Sequence, residues 1–106
     1  MSWLDCPYLD GEVEMTDERE SHVAERHPDL LPEFRDHLAQ TLTDLDQVRR
    51  SARFGDALLF SRWFPDVRGG KHVVVSSEKE AVRRHWLVTA YIARKLAEGQ
   101  IEWKRS

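Results

Sequence analysis

Five histidines supply the proton-transfer chemistry of this 106-residue chain, since imidazole with an unperturbed pKa of ~6.5 exchanges a proton near neutrality. His22 and His27 stand five residues apart. On a continuous helix they would project roughly 140° apart, off a common face, so helical spacing gives them no shared metal. No HExxH motif is present and no ligand pattern surrounds Glu25-Arg26-His27, so no zinc site and no other cofactor is expected. His27, with His22 as second choice, is the candidate for proton transfer.

A second set of chemically able residues lies in the last third of the chain. In Arg84-His85-Trp86-Leu87-Val88-Thr89-Ala90-Tyr91-Ile92, strict alternation would put Leu87, Thr89 and Tyr91 on one face of a strand. Trp86, Val88, Ala90 and Ile92 would share the other, as an apolar face turned toward the core. Lys71 and Arg62 in neighbouring strands are the cations expected on the hydroxyl-bearing face, with His72 and Arg84 as further contacts to a substrate. Arg, Lys, Thr and Tyr make a poor core and a good phosphate cradle, because phosphate oxygens accept charge-assisted hydrogen bonds. A solvated sheet face with cations lying along it fits the same residues.

The elements that must position these groups follow from local patterning. Asp10-Gly11 between two short β-prone pieces predicts a hairpin at the start of the chain, and Pro7 confines its first strand to an edge. Thr16-Asp17 with Glu20 resembles a capping box and starts a helix running to about Arg26, which Pro28 ends. Leu31, Phe34, Leu38 and Leu42 form one apolar stripe of a second helix beginning near Leu31-Pro32. Gln47 to Ser51 and Ala57 to Phe64 read as strands, with a turn at Phe54-Gly55-Asp56.

Gly69 to Val75 and Arg84 to Ile92 read as an antiparallel pair joined by a polar turn over residues 76–80. A further helical turn is expected over residues 93–98, capped by Gly99, and a short edge piece over residues 101–104. The sum is a single α+β domain over residues 1–106, with two N-terminal helices packed on a roughly four-stranded antiparallel sheet.

Composition narrows the class. A hydrophobic fraction of 41% with 33% charged residues is too apolar for a disordered chain and too polar for a membrane protein. No stretch approaches the ~18 apolar residues of a membrane span, and the first residues lack a signal-peptide pattern, so a cytoplasmic location is expected. Cys6 has no partner cysteine and reads as a small apolar side chain. The net charge is −3, but residues 1–48 hold 13 acidic against 3 basic residues and residues 49–106 hold 13 basic against 6 acidic. Either one surface meets a polyanion, or the halves face and pair with each other.

In order, His22-x4-His27-Pro28, Thr43-Asp44-Leu45-Asp46-Gln47-Val48, Phe60-Ser61-Arg62-Trp63-Phe64, Gly70-Lys71-His72-Val73-Val74-Val75 and Leu87-Val88-Thr89-Ala90-Tyr91, followed by Lys95 and Ile101-Glu102-Trp103, resemble the phage and bacterial nuclease-like families of the barnase–EndoU–colicin–RelE superfamily. The resemblance covers about Val13 to the C-terminus. It implies metal-independent endoribonuclease activity of a toxin or phage effector, with RNA as substrate and an antitoxin or immunity protein as partner.

Carried onto this chain, the resemblance assigns His27, Lys71 and Thr89 to the site, joined by His22, Arg62 and Tyr91. Such proteins are usually strongly basic, and the charge of −3 departs from that pattern. Two other readings fit the sequence: a non-catalytic binding or regulatory module that keeps the nuclease-like fold, and a structural homodimer joined through Trp63, Trp86 or Trp103.

Overall fold

The computed structural model describes residues 1–52, 57–81 and 84–106. The expected turn at Phe54-Gly55-Asp56 lies outside the described residues. Strands β1 (Ser2–Cys6) and β2 (Gly11–Met15) form the predicted hairpin. A 3-10 turn, Pro7–Leu9, and Asp10 in the left-handed region (φ 53) connect them. Asx residues tolerate that conformation better than most. Helices α1 (Asp17–Arg26) and α2 (Arg35–Thr43) follow, then β3 (Gln47–Ser51), β4 (Ala57–Phe64), β5 (Lys71–Ala81), β6 (Arg84–Ala93) and β7 (Gly99–Lys104).

The expected four-stranded antiparallel sheet is instead a seven-stranded mixed sheet of order β1-β2-β6-β5-β4-β3-β7. Three pieces enlarge it. The hairpin precedes both helices and docks through β2, which runs parallel to β6 with Val13 beside His85 and Glu14 beside Trp86. The C-terminal piece pairs antiparallel with β3. Residues 76–80, expected as a turn, instead continue β5 as far as Ala81. No helix forms after Ala93 either. Residues 94–98 run as irregular chain, and Gly99 opens β7 rather than capping a helix. Its β-carbon would lie 2.3 Å from the Arg50 carbonyl oxygen, so pairing at this distance admits only glycine.

The helices lie where their apolar residues send them. Thr16 caps α1, its Oγ1 accepting from the Arg19 N–H at 3.1 Å, while Glu20 turns away to pair with Arg35 at 2.9 Å. The second helix starts four residues later than its stripe suggested, because residues 28–34 fold into successive turns. Leu31, Leu38 and Leu42 are still buried, and Phe34 packs against the core from its edge. Helix α2 touches β1, β4, β5 and the 3-10 turn, so the sheet curls around it, while α1 lies against β6. The Tyr8 ring bridges the curl, 6.1 Å from Phe60 and 6.3 Å from Trp103. Cys6 is fully buried, as its type suggested.

The two oppositely charged halves of the chain pair with each other. Arg62, Arg68, Arg84 and Arg105 from the basic half meet Asp44, Glu33, Glu14 and again Asp44 from the acidic half. Much of the asymmetry is therefore consumed inside the molecule. Among the described residues, no helix is long and apolar enough to cross a membrane.

Candidate functional site

The open face of the sheet, opposite α2 and reached by α1 side chains at β6, carries the candidate site, and register decides which strand side chains lie on it. Core residues Phe60, Val73, Val75 and Ala90 define the helix-bearing side. Directly opposed residues share a side, and alternation along each strand sends the intervening residues to the other. The open face therefore receives Leu59, Ser76 and Thr89 in one rung, Gln47, Ser61, Val74 and Tyr91 in the next, and Trp63, His72 and Ala93 beyond.

A β-bulge makes this possible. The register shifts between Ser76 and Ser77, which pair with Thr89 and Leu87 and leave Val88 extra. Leu87 is thereby buried in the core together with Ala90. The strict alternation expected from the sequence, with Leu87 beside Thr89 and Tyr91, does not hold across the bulge.

To reach the far edge from the end of β6, residues 94–98 must pass over β5, β4 and β3. They do so across the open face, tied down by Arg49, whose Nη1 donates to the Ala97 carbonyl at 2.9 Å. Between this crossing segment and the sheet lies a cup of about 480 Å³ lined by Ser51, Ala52, Leu59, Ser76, Thr89, Tyr91, Ala97 and Glu98. Three hydroxyls, a phenol and a carboxylate thus share one concavity with an apolar floor.

Histidines flank this cup. His27, at the C-terminal end of α1 with its backbone N–H donating to the Val23 carbonyl at 2.7 Å, brings its ring within 6.0 Å of the Tyr91 ring. Burial pushes the Tyr91 phenol up, so it stays protonated and able to donate. His72 stands edge-on to Trp63, ring centroids 5.0 Å apart, and its Nδ1 is buried without a hydrogen-bond partner among the described residues. Burial lowers the pKa of His72; the charge of Asp46 opposes this and that of Arg49 adds to it.

Because its folded pKa lies below the unfolded value of ~6.5, the unfolded chain binds this proton more readily. The stability associated with neutral His72 is complete above about pH 6.5 and is lost as pH falls through the folded value. Thermal melts from pH 7.5 to 5 should therefore lose less stability in a His72→Gln variant than in the wild type. Parallel losses in the two would contradict a neutral buried imidazole.

Of the sequence candidates, the structure places Thr89 and Tyr91 in the cup, the His27 ring beside Tyr91 and His72 in a further rung of the same face; Arg62 and Lys71 are not with them. Arg62 opposes Val73, and Lys71 opposes Phe64, so both leave on the helix-bearing side. The Arg62 guanidinium lies 4.9 Å over the Phe64 ring and pairs with Asp44 at 3.1 Å. The Lys71 Nζ donates to the Arg68 carbonyl at 2.8 Å. The cationic hydroxyl face expected from the sequence is thus split between the two sides of the sheet, because β4 and β5 place Arg62 and Lys71 in the same rows as Phe60, Phe64 and Val73.

His22 is half-buried on α1, five residues before His27. Arg84 lies at the far end of the open face, paired with buried Glu14 at 3.2 Å. Trp63 and Trp86 also share the open face, where Trp86 is covered by Arg19 at 5.5 Å. Trp103 opposes Val48 on the helix-bearing side, so the three tryptophans do not form one surface. Among the described residues, no three His, Cys, Asp or Glu side chains converge to hold a metal ion.

Glu98, Ser76, Ser51 and Arg49 escaped sequence reasoning. Residues 76–80 looked like a turn and residues 93–98 like a helix, and only the crossing path of the latter brings Glu98 over Thr89. Comparison of the chain with known protein families, with characterised proteins and with solved structures gives no match, so function is argued from the site itself.

Proposed function

We propose that the chain is a metal-independent endoribonuclease that works in the cup on the open face of its sheet. The observation that supports this reading is the meeting, at one concavity, of a carboxylate on the crossing segment (Glu98) with two hydroxyls and a phenol on the strands (Ser76, Thr89, Tyr91), beside which the His27 ring lies 6.0 Å from the Tyr91 ring. RNA cleavage without a metal needs a base, an acid and donors for the phosphoryl oxygens.

Each group has a task in that chemistry. The Glu98 carboxylate takes the proton of the ribose 2′-hydroxyl as its oxygen attacks the adjacent phosphorus. The His27 imidazolium gives a proton to the departing 5′-oxygen, so the products are a 2′,3′-cyclic phosphate and a 5′-hydroxyl. Tyr91, Thr89 and Ser76 donate to the non-bridging oxygens, whose negative charge grows in the transition state. Arg49, held by Gln47 Oε1 at 2.7 Å and by the Ala97 carbonyl, supplies positive potential beneath the crossing segment. Exposed Trp63, with His72 beside it, offers a surface on which a neighbouring base stacks.

Purified protein in EDTA is expected to cut single-stranded RNA, leave 2′,3′-cyclic phosphate ends, and spare the same sequence carrying 2′-deoxyribose at every position. Equal cutting of the deoxy strand would overturn the mechanism. The placement of Arg62 and Lys71 on the helix-bearing side favours a second reading, a binding module that holds RNA on this face without cutting it. Saturable RNA binding with intact RNA recovered would select that reading.

A further inference from the structure

The helix-bearing side of the sheet has a cavity of its own, separated from the cup by the thickness of the sheet. It encloses about 330 Å³ and is walled by Arg50, Leu58, Ser77, Lys79 and His85. The pleat delivers these residues there. Arg50 opposes Leu58, Leu58 opposes Ser77, and Ser77 opposes Leu87, with Lys79 opposing His85 in the adjacent rung. Leu87 belongs to the core and Leu58 packs against it, which fixes the side on which all five emerge. Four polar groups are thus held on β3, β5 and β6, with Leu58 of β4 between, rather than on loops, a placement that limits their freedom before any ligand arrives.

Their chemistry has one sign. Arg50 is a permanent cation, oriented by Glu102, which accepts from its Nε at 2.6 Å. Neither Lys79 nor His85 has a hydrogen-bond or ion-pair partner among the described residues. Ser77 is only 2% exposed, and its hydroxyl is buried without a hydrogen-bond partner among the described residues. A buried hydroxyl left unpaired is destabilising and uncommon in folded proteins, and here it belongs to the wall of a cavity bearing three nitrogen donors.

His85 also borders a smaller space of about 210 Å³ lined by Leu9, Asp10, Gly11 and Glu12. The carboxylates there repel an anion and leave the Lys79 side as its place. Burial, and then the nearby Lys79 charge, depress the pKa of His85, as desolvation and a like charge do.

We propose that this cavity binds the phosphoryl group of a small phosphate monoester, with Lys79 and Arg50 supplying charge and Ser77 Oγ and His85 donating to its oxygens. Charge-assisted hydrogen bonds of this kind are the strong ones. The cavity is larger than a bare phosphate requires, and the Leu58 wall offers apolar contact to the substituent. The proposal does not rest on the ribonuclease reading, because no residue of the cup takes part.

Calorimetric titration of the full chain with inorganic phosphate, at constant ionic strength in chloride, is expected to show one saturable site. Adenosine 5′-monophosphate serves as the organic monoester and adenosine as the uncharged control, which should not bind. Tighter binding of the nucleotide than of phosphate assigns the site to an organic monoester, and equal binding assigns it to free phosphate. Lys79→Ala should weaken binding of both anions at least tenfold and leave RNA cleavage unchanged. Ser77→Ala should weaken binding several-fold without lowering the melting temperature of the unliganded protein, which separates a ligand contact from a structural role. Absence of saturable binding by both anions, or binding that both variants leave intact, would overturn the proposal.

Discussion

His27→Ala and Glu98→Gln are each expected to slow RNA cleavage by ~10²–10⁴-fold, the range that a positioned acid or base contributes. Neither change removes a structural support. His27 contributes its backbone N–H to the end of α1, which alanine retains, and Glu98 is exposed on the crossing segment. Circular dichroism and melting temperature should therefore stay close to wild type while the rate collapses. The two losses should not add in the double variant, since groups acting in one step lose most of their effect together. Cleavage undiminished in both variants would remove these residues from the mechanism, even if the protein proves to be a nuclease.

The largest structural effect is expected at Phe60, whose replacement by alanine should cost ~3–5 kcal/mol. Its ring is fully buried on β4, between Val48 of β3 and Val75 of β5, and Tyr8 meets it edge-on from the N-terminal hairpin. It is the point at which the curl of the sheet is closed by aromatic contact, so its loss empties the core and releases the hairpin together. Against the ~5–15 kcal/mol stability typical of single domains, this takes a large share. Urea unfolding of the variant should show a midpoint shifted strongly downward. A loss below about 1 kcal/mol would mean that the surrounding side chains collapse to fill the space.

Much of this molecule was legible residue by residue, and much of its assembly was not. Asp10-Gly11, Thr16, the Leu31–Leu38–Leu42 stripe and the strands around Val48, Phe60, Val73 and Ala90 each announce their local structure, because turn chemistry, capping and periodicity act within a few residues. The failures arose where a distant partner decided. Ser76 to Glu80 are polar, yet β6 pairs along nearly all of them, and the resulting bulge moves Leu87 into the core. Ala93 to Glu98 have helix-forming residues but must span three strands to reach β3, a distance that extended chain covers and one or two helical turns do not.

The candidate site inherited the same limit. Thr89 and Tyr91 were identifiable by type and strand parity, and His72 and His27 by type alone. Arg62 and Lys71 were misplaced because their rows, shared with Phe60, Phe64 and Val73, become evident only once the strands are paired. The charge imbalance between the halves was real, and part of it is answered within the fold. Arginines of one half answer carboxylates of the other across the fold.

Gly99 sits where the segment roofing the cup comes down onto β3, and a methyl group there would collide with the Arg50 carbonyl oxygen. The clearance beneath Ala97 and Glu98 is thus set by a hydrogen where every other amino acid has carbon. Any larger residue at this position would raise the roof and swing the carboxylate off the strands, so the fit of a bound molecule is tuned from a place it never touches.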